Sequence, residues 1–355
     1  MEKNIISPNK RPGNVMEKVK ISTHTPFQKL ESVWLGQCVS NTFFDWVKDD
    51  RVKDPLKKIV DETNEDLINI KNILQQNNVK VFQDSPLEFD NDVFTNSVAL
   101  PVPPLQPRDV HLTLDKKIYC TSHEPAWNYV HEIVNPECIV NLFDLTYKDS
   151  QYQNGHMLSG AFCYRIGKRI IMPTVVDKPM REFCRNFFTE KGYEVVETND
   201  QGHSDGIMSV LKPGVIVSLE GSDHYKDTFP GWEVYTVNDQ SWSKLRGWAN
   251  FKYKSKGRWW VPNEESNEYL LEFVNQWLNK WVGYVTETVF DVNMLSLSEE
   301  LVLVNNYHRG LFDFLEKRRI TPIVCPLRHR YFWDGGIHCL TVDLERHGGL
   351  EDYFN

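Results

Sequence analysis

The sequence predicts an α/β fold, a five-bladed α/β propeller of pseudo-symmetric repeats. Two observations predict it. One order of elements, helix, strand, polar loop, strand, appears three times along the chain. Two further hairpins follow the same style, and an unpartnered strand lies towards each end. If the last strand pairs with the first, the chain holds five similar units, and repetition at long period is the signature of a radial architecture. The pattern by itself leaves open an ordinary α+β sheet with unrelated hairpins.

The elements follow in order. Residues 30–37 (LESVWLGQ) form a short apolar strand ended by Gly36. Leu56, Ile59, Val60, Thr63, Leu67, Ile70 and Leu74 recur at helical spacing, so residues 55–76 are one amphipathic helix, stopped by Asn77-Asn78. Residues 79–82 are a strand. A proline-rich link over 101–107 leads into Pro107-Arg108-Asp109, then strands 110–114 and 118–120 around the turn Asp115-Lys116-Lys117. Residues 161–165 pair with 169–172 across Ile166-Gly167-Lys168. Helix 179–190, with Phe183, Cys184, Phe187 and Phe188 on one face, ends at Gly192, and strand 193–196 follows. The loop Gln201-Gly202-His203-Ser204-Asp205-Gly206 leads into strands 207–211 and 215–219 around Lys212-Pro213-Gly214. Residues 292–295 pair with 301–304 across 296–300. Helix 310–317, strand 320–325 and a glycine loop precede strand 340–344, for which residues 32–35 are the available partner.

Composition narrows the function. The net charge of −9 disfavours nucleic acid or an anionic membrane as partner, since both demand a basic face. No apolar run approaches membrane-spanning length. Residues 1–20 read as a disordered leader without the apolar segment of a secretory signal. Residues 21–355 read as a single catalytic domain carrying a Trp-rich insertion at about 240–285. That insertion begins basic and aromatic, then presents Leu270, Phe273, Val274, Trp277, Leu278 and Trp281 on a helical face. Its tryptophan stripe reads most simply as core, and the insertion as a lid or an interface. Seven cysteines, an odd number without CxxC spacing, argue against a disulfide framework or structural zinc and for a reducing, cytoplasmic compartment.

The chemistry centres on Trp333-Asp334-Gly335-Gly336-Ile337-His338-Cys339-Leu340-Thr341. Two glycines and a histidine deliver Cys339 to the head of the last strand, where a thiol is either a nucleophile or simply a buried cysteine. If the repeats surround a centre, their polar loops bring Asp109, His203, Asp205, His338 and Cys339 together. Taken singly, Asp109 reads equally as a surface ion pair with Arg108, His203 as a turn residue, and Asp205-Gly206 as a common turn dipeptide. Together they match one chemistry. Two carboxylates hold a planar guanidinium. A thiolate attacks its central carbon, forming an amidino-cysteine. A histidine protonates the departing amine and later deprotonates the second nucleophile. This chemistry calls for no metal and no cofactor, and the two-residue spacing of His203 and Asp205 is not that of a helical metal site.

Pro107-Arg108-Asp109, His203-Ser204-Asp205, Lys212-Pro213-Gly214-Val215-Ile216-Val217-Ser218, the Gly335–Thr341 stretch with Asp343 and Arg346, and the segment Gly349-Leu350-Glu351-Asp352-Tyr353-Phe354 carry a resemblance. In these motifs, and in their order over most of 25–355, the chain resembles the glycine amidinotransferase family of the pentein, or guanidino-group-modifying, superfamily. The resemblance implies the five-bladed pentein fold. It assigns Cys339 as nucleophile, His203 as general acid/base, and Asp109 and Asp205 as guanidinium-binding residues. It further implies a homodimer and transfer of an amidino group from a guanidino donor, L-arginine by analogy, to a primary amine. Two departures stand out. Where the family has a carboxylate that orients the histidine, this chain has Met157-Leu158-Ser159-Gly160-Ala161-Phe162, which puts Ser159 at the orienting position. Where arginine-using members grip the substrate carboxylate with an arginine, it has Leu219-Glu220-Gly221-Ser222-Asp223. A hydrolase of the same superfamily and a catalytically weak, ligand- or partner-binding pentein are the alternatives.

Overall fold

A computed structural model describes residues 18–87, 100–142, 158–173, 178–198, 203–219, 225–237, 259–283 and 289–354. The strands are β1 (Leu30–Leu35), β2 (Lys80–Phe82), β3 (His111–Leu114), β4 (Lys117–Cys120), β5 (Ile139–Asn141), β6 (Tyr164–Ile166), β7 (Arg169–Pro173) and β8 (Glu194–Thr198). They continue with β9 (Met208–Lys212), β10 (Val215–Leu219), β11 (Glu233–Val237), β12 (Leu295–Ser298), β13 (Leu301–Val304), β14 (Thr321–Val324) and β15 (Thr341–Arg346). They form five three-stranded sheets, β15-β1-β2, β3-β4-β5, β6-β7-β8, β9-β10-β11 and β12-β13-β14. In every sheet the outer strands flank a middle strand that is antiparallel to one and parallel to the other. A parallel partner needs a crossover, and a helix lies between the middle and third strand each time. The unit is thus hairpin, helix, strand, and the order read from sequence is the same repeat in another phase.

The expected pairing of the last strand with the first is present. β1 and β15 are antiparallel, with Trp34 opposite Val342 and Leu35 opposite Thr341. Five apolar clusters join the sheets in series. Trp34 and Phe82 pack with Ile118 and Cys120. Leu112 and Tyr119 pack with Ile170 and Met172. Tyr164 and Ile171 pack with Met208 and Ile216, and Val215 and Val217 with Val302 and Val304. The fifth cluster links Leu295 and Leu303 back to Val33 and Leu35.

Three expectations change in detail. The helix expected over 55–76 is α1 (Asp50–Gln76), which starts earlier because Asp49 caps it by accepting from the Arg51 N–H. Pro55 lies inside it and cannot donate to the Arg51 carbonyl. The Asn267 side chain donates to that carbonyl instead, at 2.7 Å. The strand expected over 292–295 is displaced to β12, where Leu295 and Leu297 point into the core, and residues 289–292 form a helical turn. Helix Lys178–Thr189 buries Cys184 and Phe188 but leaves Phe183 40% exposed, so its apolar face is narrower than four residues.

The expected leader lies, apart from residues 18–20, outside the described residues, as does the basic part of the Trp-rich insertion up to residue 258. The remainder of the insertion is core. Asn267 caps helix Glu268–Trp277, whose Leu270 and Val274 are buried with Leu278 and Trp281 against residues of α1. Trp281 stacks on Trp333 with centroids 5.5 Å apart, so the insertion backs the segment that leads into Cys339. Among the described residues no helix is long and apolar enough to cross a membrane.

Candidate active site

The site is built from the loops that enter the first strand of each hairpin. Pro107–Asp109 is a single 3-10 turn two residues before β3, with Pro107 supplying the fixed φ that starts it. Ser204–Gly206 is the equivalent turn before β9, tied down by the Ser204 hydroxyl donating to the Phe162 carbonyl at 2.6 Å. Residues 337–340 form a turn before β15, in which the Leu340 N–H reaches the Gly336 carbonyl. Asn293 holds the corresponding place before β12.

Close approach fixes the two glycines before Cys339. A Cβ on Gly335 would stand 2.4 Å from Gln106 Nε2, and one on Gly336 would stand 2.5 Å from Asn293 Oδ1. Arg108 then clamps the Asp109 turn to the cysteine turn. Its Nε donates to the His338 carbonyl at 2.8 Å and its Nη2 to Asp343 Oδ1 at 2.7 Å. Asp343 also receives Arg165 at 2.8 Å and Arg346 at 2.8 Å, so one buried carboxylate gathers three buried guanidinium groups from three parts of the chain.

Cys339 is buried, and the four other predicted residues lie in the same locality. Its thiol lies 3.5 Å from Asp205 Oδ2, which also accepts from His338 Nδ1 at 2.8 Å. His203 Nδ1 lies 3.7 Å from Asp109 Oδ1, and both residues are half-buried. Phe162 meets the His203 ring edge-on at 4.5 Å. Two carboxylate oxygens, Asp109 Oδ1 and Asp205 Oδ1, are buried and accept no hydrogen bond from the described residues. Buried acceptors are nearly always satisfied, so both oxygens have capacity for a further donor.

The electrostatics agree. Burial, then the Asp205 and Asp109 charges, push the Cys339 thiol well above its ordinary value. Burial raises Asp109 to about 7, helped by Asp205 and Asp334 against the pull of His203 and Arg108. Burial opposes charge on His203, but Asp109, Asp205 and Asp334 outweigh it and raise its pKa. Burial and Arg108 lower His338, so its Nδ1 carries the proton donated to Asp205. Burial pushes Asp205 up, and the His338 bond with nearby positive charge more than reverses it.

Replacing Asp109 by Asn tests this coupling. It removes the largest favourable charge facing His203, so the imidazole of the free protein should titrate at lower pH in Asp109→Asn. The His203 ring-proton shift, followed by NMR against pH, reads this directly. An unchanged titration would show that Asp109 does not govern His203.

Ser159, expected as the group orienting His203, makes no hydrogen bond to the ring among the described residues. Its hydroxyl is fully buried and makes no hydrogen bond among the described residues, while the polar group facing His203 is Asp109. Residues 220–224, which hold all but Leu219 of the second departure from the family pattern, lie outside the described residues. Sequence reasoning missed two neighbours. Asp334, at φ +52°, adds a third negative charge felt by Asp109 and His203. Asn293 touches the thiol, and its signal was its place before β12, concealed by starting that strand at 292.

No family model matches the chain. A segment of 157 residues, 43% of the chain, is 36% identical to the mitochondrial glycine amidinotransferase of Xenopus tropicalis. That segment spans 29% of the relative, and the arginine:lysine and inosamine-phosphate amidinotransferases that match are each spanned over 19% of their length. Among solved structures, the amidinotransferase SxtG of Microseira wollei, from saxitoxin biosynthesis, superposes with a TM-score of 0.62 at 19% identity over 94% of this chain and 99% of that one. A dimethylarginine dimethylaminohydrolase superposes at 0.52 and 11% identity over 88% and 99%. The resemblance read from the motifs therefore holds: the chain is similar in sequence to amidinotransferases and has the fold they share.

Proposed function

We propose that the protein is an amidinotransferase that moves an amidino group from a guanidino donor to a primary amine through Cys339. The observation that carries this reading is the pair of unsatisfied buried oxygens, Asp109 Oδ1 and Asp205 Oδ1, beside the Cys339 thiol and His203. In the same reading the five sheets are the blades of a five-bladed propeller, with the loops before the hairpins at its centre.

The mechanism follows from charge. A guanidinium between Asp109 and Asp205 offsets the two carboxylates that hold the thiol protonated, and adds a positive charge beside the sulfur. Both effects favour the thiolate, and the thiol proton passes to bulk water as the guanidinium seats. The sulfur then attacks the central guanidinium carbon, and the carbon–nitrogen bond to the donor breaks as His203 gives its proton to the departing amine. The acceptor amine returns a proton to His203, attacks the amidino carbon and releases the Cys339 thiolate. L-arginine is the donor that the resemblance suggests. With water as second nucleophile the same intermediate gives hydrolysis, and the dimethylaminohydrolase shares the fold. The third reading, a weakly catalytic binder, rests on the sequence departure at Ser159.

Mass spectrometry separates these readings. Incubated with L-arginine and no acceptor, a transferase accumulates an adduct of roughly 42 Da on Cys339 and stalls. Continued turnover to a ureido product or urea without acceptor identifies a hydrolase. Folded protein that forms no adduct with any of a panel of guanidino donors overturns both enzymatic readings.

A further inference from the structure

The Cys339 sulfur is held by a side chain that the reaction scheme does not use. Asn293 is fully buried and uses both ends of its amide on the cysteine turn. Its Oδ1 accepts from the His338 N–H at 2.9 Å and the Cys339 N–H at 3.2 Å. Its Nδ2 donates to Cys339 Sγ and to the Asp205 carbonyl oxygen, both at 3.1 Å. One amide thereby ties the nucleophile's main chain, the sulfur and the turn carrying a guanidinium-binding carboxylate. Gly336 lacks the Cβ that would collide with Oδ1, so the approach is built into the loop. The Asn293 carbonyl is itself anchored by Asn305 Nδ2 at 2.9 Å.

We propose that Asn293 is a positioning residue for the nucleophile, aiming the Cys339 sulfur between Asp109 and Asp205 and donating the hydrogen bond that stabilises its thiolate. The inference rests on the reading of Cys339 as the nucleophile. The need for a donor is physical. The carboxylate beside the sulfur repels a thiolate, and a neutral amide N–H is a group that stabilises it without competing for the guanidinium site. Asn suits the place because it is donor and acceptor at once.

The test is chemical labelling of Cys339 rather than turnover. Wild type, Asn293→Ala and Asn293→Ser are treated with iodoacetamide across a pH series, and labelling at Cys339 is quantified by peptide mapping. Circular dichroism and thermal melting certify the folded state. The Ala variant should label roughly tenfold more slowly at pH 8, with its reactivity midpoint displaced to higher pH, because the thiolate has lost a donor. Ser, which restores one short donor, should lie between Ala and wild type. If Ala does not fold, an upward shift in Ser alone supports the inference. A folded Ala profile that overlays wild type overturns it, as does a Ser profile overlaying wild type when Ala is unfolded. Where wild-type Cys339 resists iodoacetamide, the rate of forming the adduct of roughly 42 Da with a guanidino donor is compared across the same variants and read in the same way, and wild type that forms neither product overturns the nucleophile reading and this inference with it. By contrast, a wild-type Cys339 that labels normally while the variants match it refutes Asn293 alone.

Discussion

Cys339→Ala should abolish adduct formation and lower turnover by roughly 10⁵-fold or more, the scale found when a covalent nucleophile is deleted. The fold should survive, because the side chain lost is small and neutral. Guanidine binding should also survive, because Asp109 and Asp205 are untouched. Calorimetric titration with the donor and intact-mass analysis of quenched reactions check the two halves separately. A variant that still forms an adduct of roughly 42 Da would place the covalent chemistry elsewhere. Retained binding without adduct is the expected result. Retained biological function in that variant would favour a binding role over an enzymatic one.

Asp343→Ala carries the largest expected cost to stability. It leaves Arg108, Arg165 and Arg346 buried around an empty place, and breaking a buried ion cluster from one side costs about 3–5 kcal/mol. Burial, with Arg108 and Arg346 alongside, lowers Arg165 to about 10 even with Asp343 in place. Urea unfolding at neutral pH measures the loss. The pH dependence has a defined sign. Burial would raise the Asp343 carboxyl, but Arg346, Arg108 and Arg165 hold it well below the usual range. Its contribution is therefore complete above the unfolded carboxylate value of about 3.9 and fades only as pH falls towards its lower folded value. The gap between wild type and Asp343→Asn should stay constant from pH 8 to pH 5 (approximate bounds) and narrow only in stronger acid. A gap that closes nearer neutrality would mean that the three arginines do not hold Asp343 ionised.

The parts of this molecule that were legible in sequence are those written in local pattern. The spacing of Leu56, Ile59, Val60, Leu67, Ile70 and Leu74 located α1, and all six are buried. The Lys212-Pro213-Gly214 turn located the β9–β10 hairpin, with Gly214 at φ +82°. The unpartnered strand at each end was enough to anticipate the β1–β15 pairing. The third strands β5 and β11 escaped, because β5 is only three residues long and neither belongs to a hairpin with a turn signature. The site was legible where a motif compresses it, as in Cys339, Asp205 and Asp109. Asn293 belongs to the site through tertiary contact alone, since 46 residues separate it from the sulfur it touches. Ser159 shows the converse. Position along the chain put it at His203, whereas among the described residues its hydroxyl makes no hydrogen bond and the Asp109 carboxylate lies 3.7 Å from the ring.

The pairing of β1 with β15 has a consequence for the order of assembly. The strand that follows Cys339 gains its partner from near the opposite end of the chain, roughly 300 residues away in sequence, and such distant closures are slow. A growing polypeptide emerging from the ribosome can complete the sheets after β2 one at a time. It cannot complete the one that follows Cys339 until Arg346 has emerged. A truncated translation product therefore carries Asp109 and Asp205 without the Cys339 sulfur. A circular permutant opened in the Asp115–Lys117 turn would join β15 to β1 early and should fold by a different sequence of events to the same site.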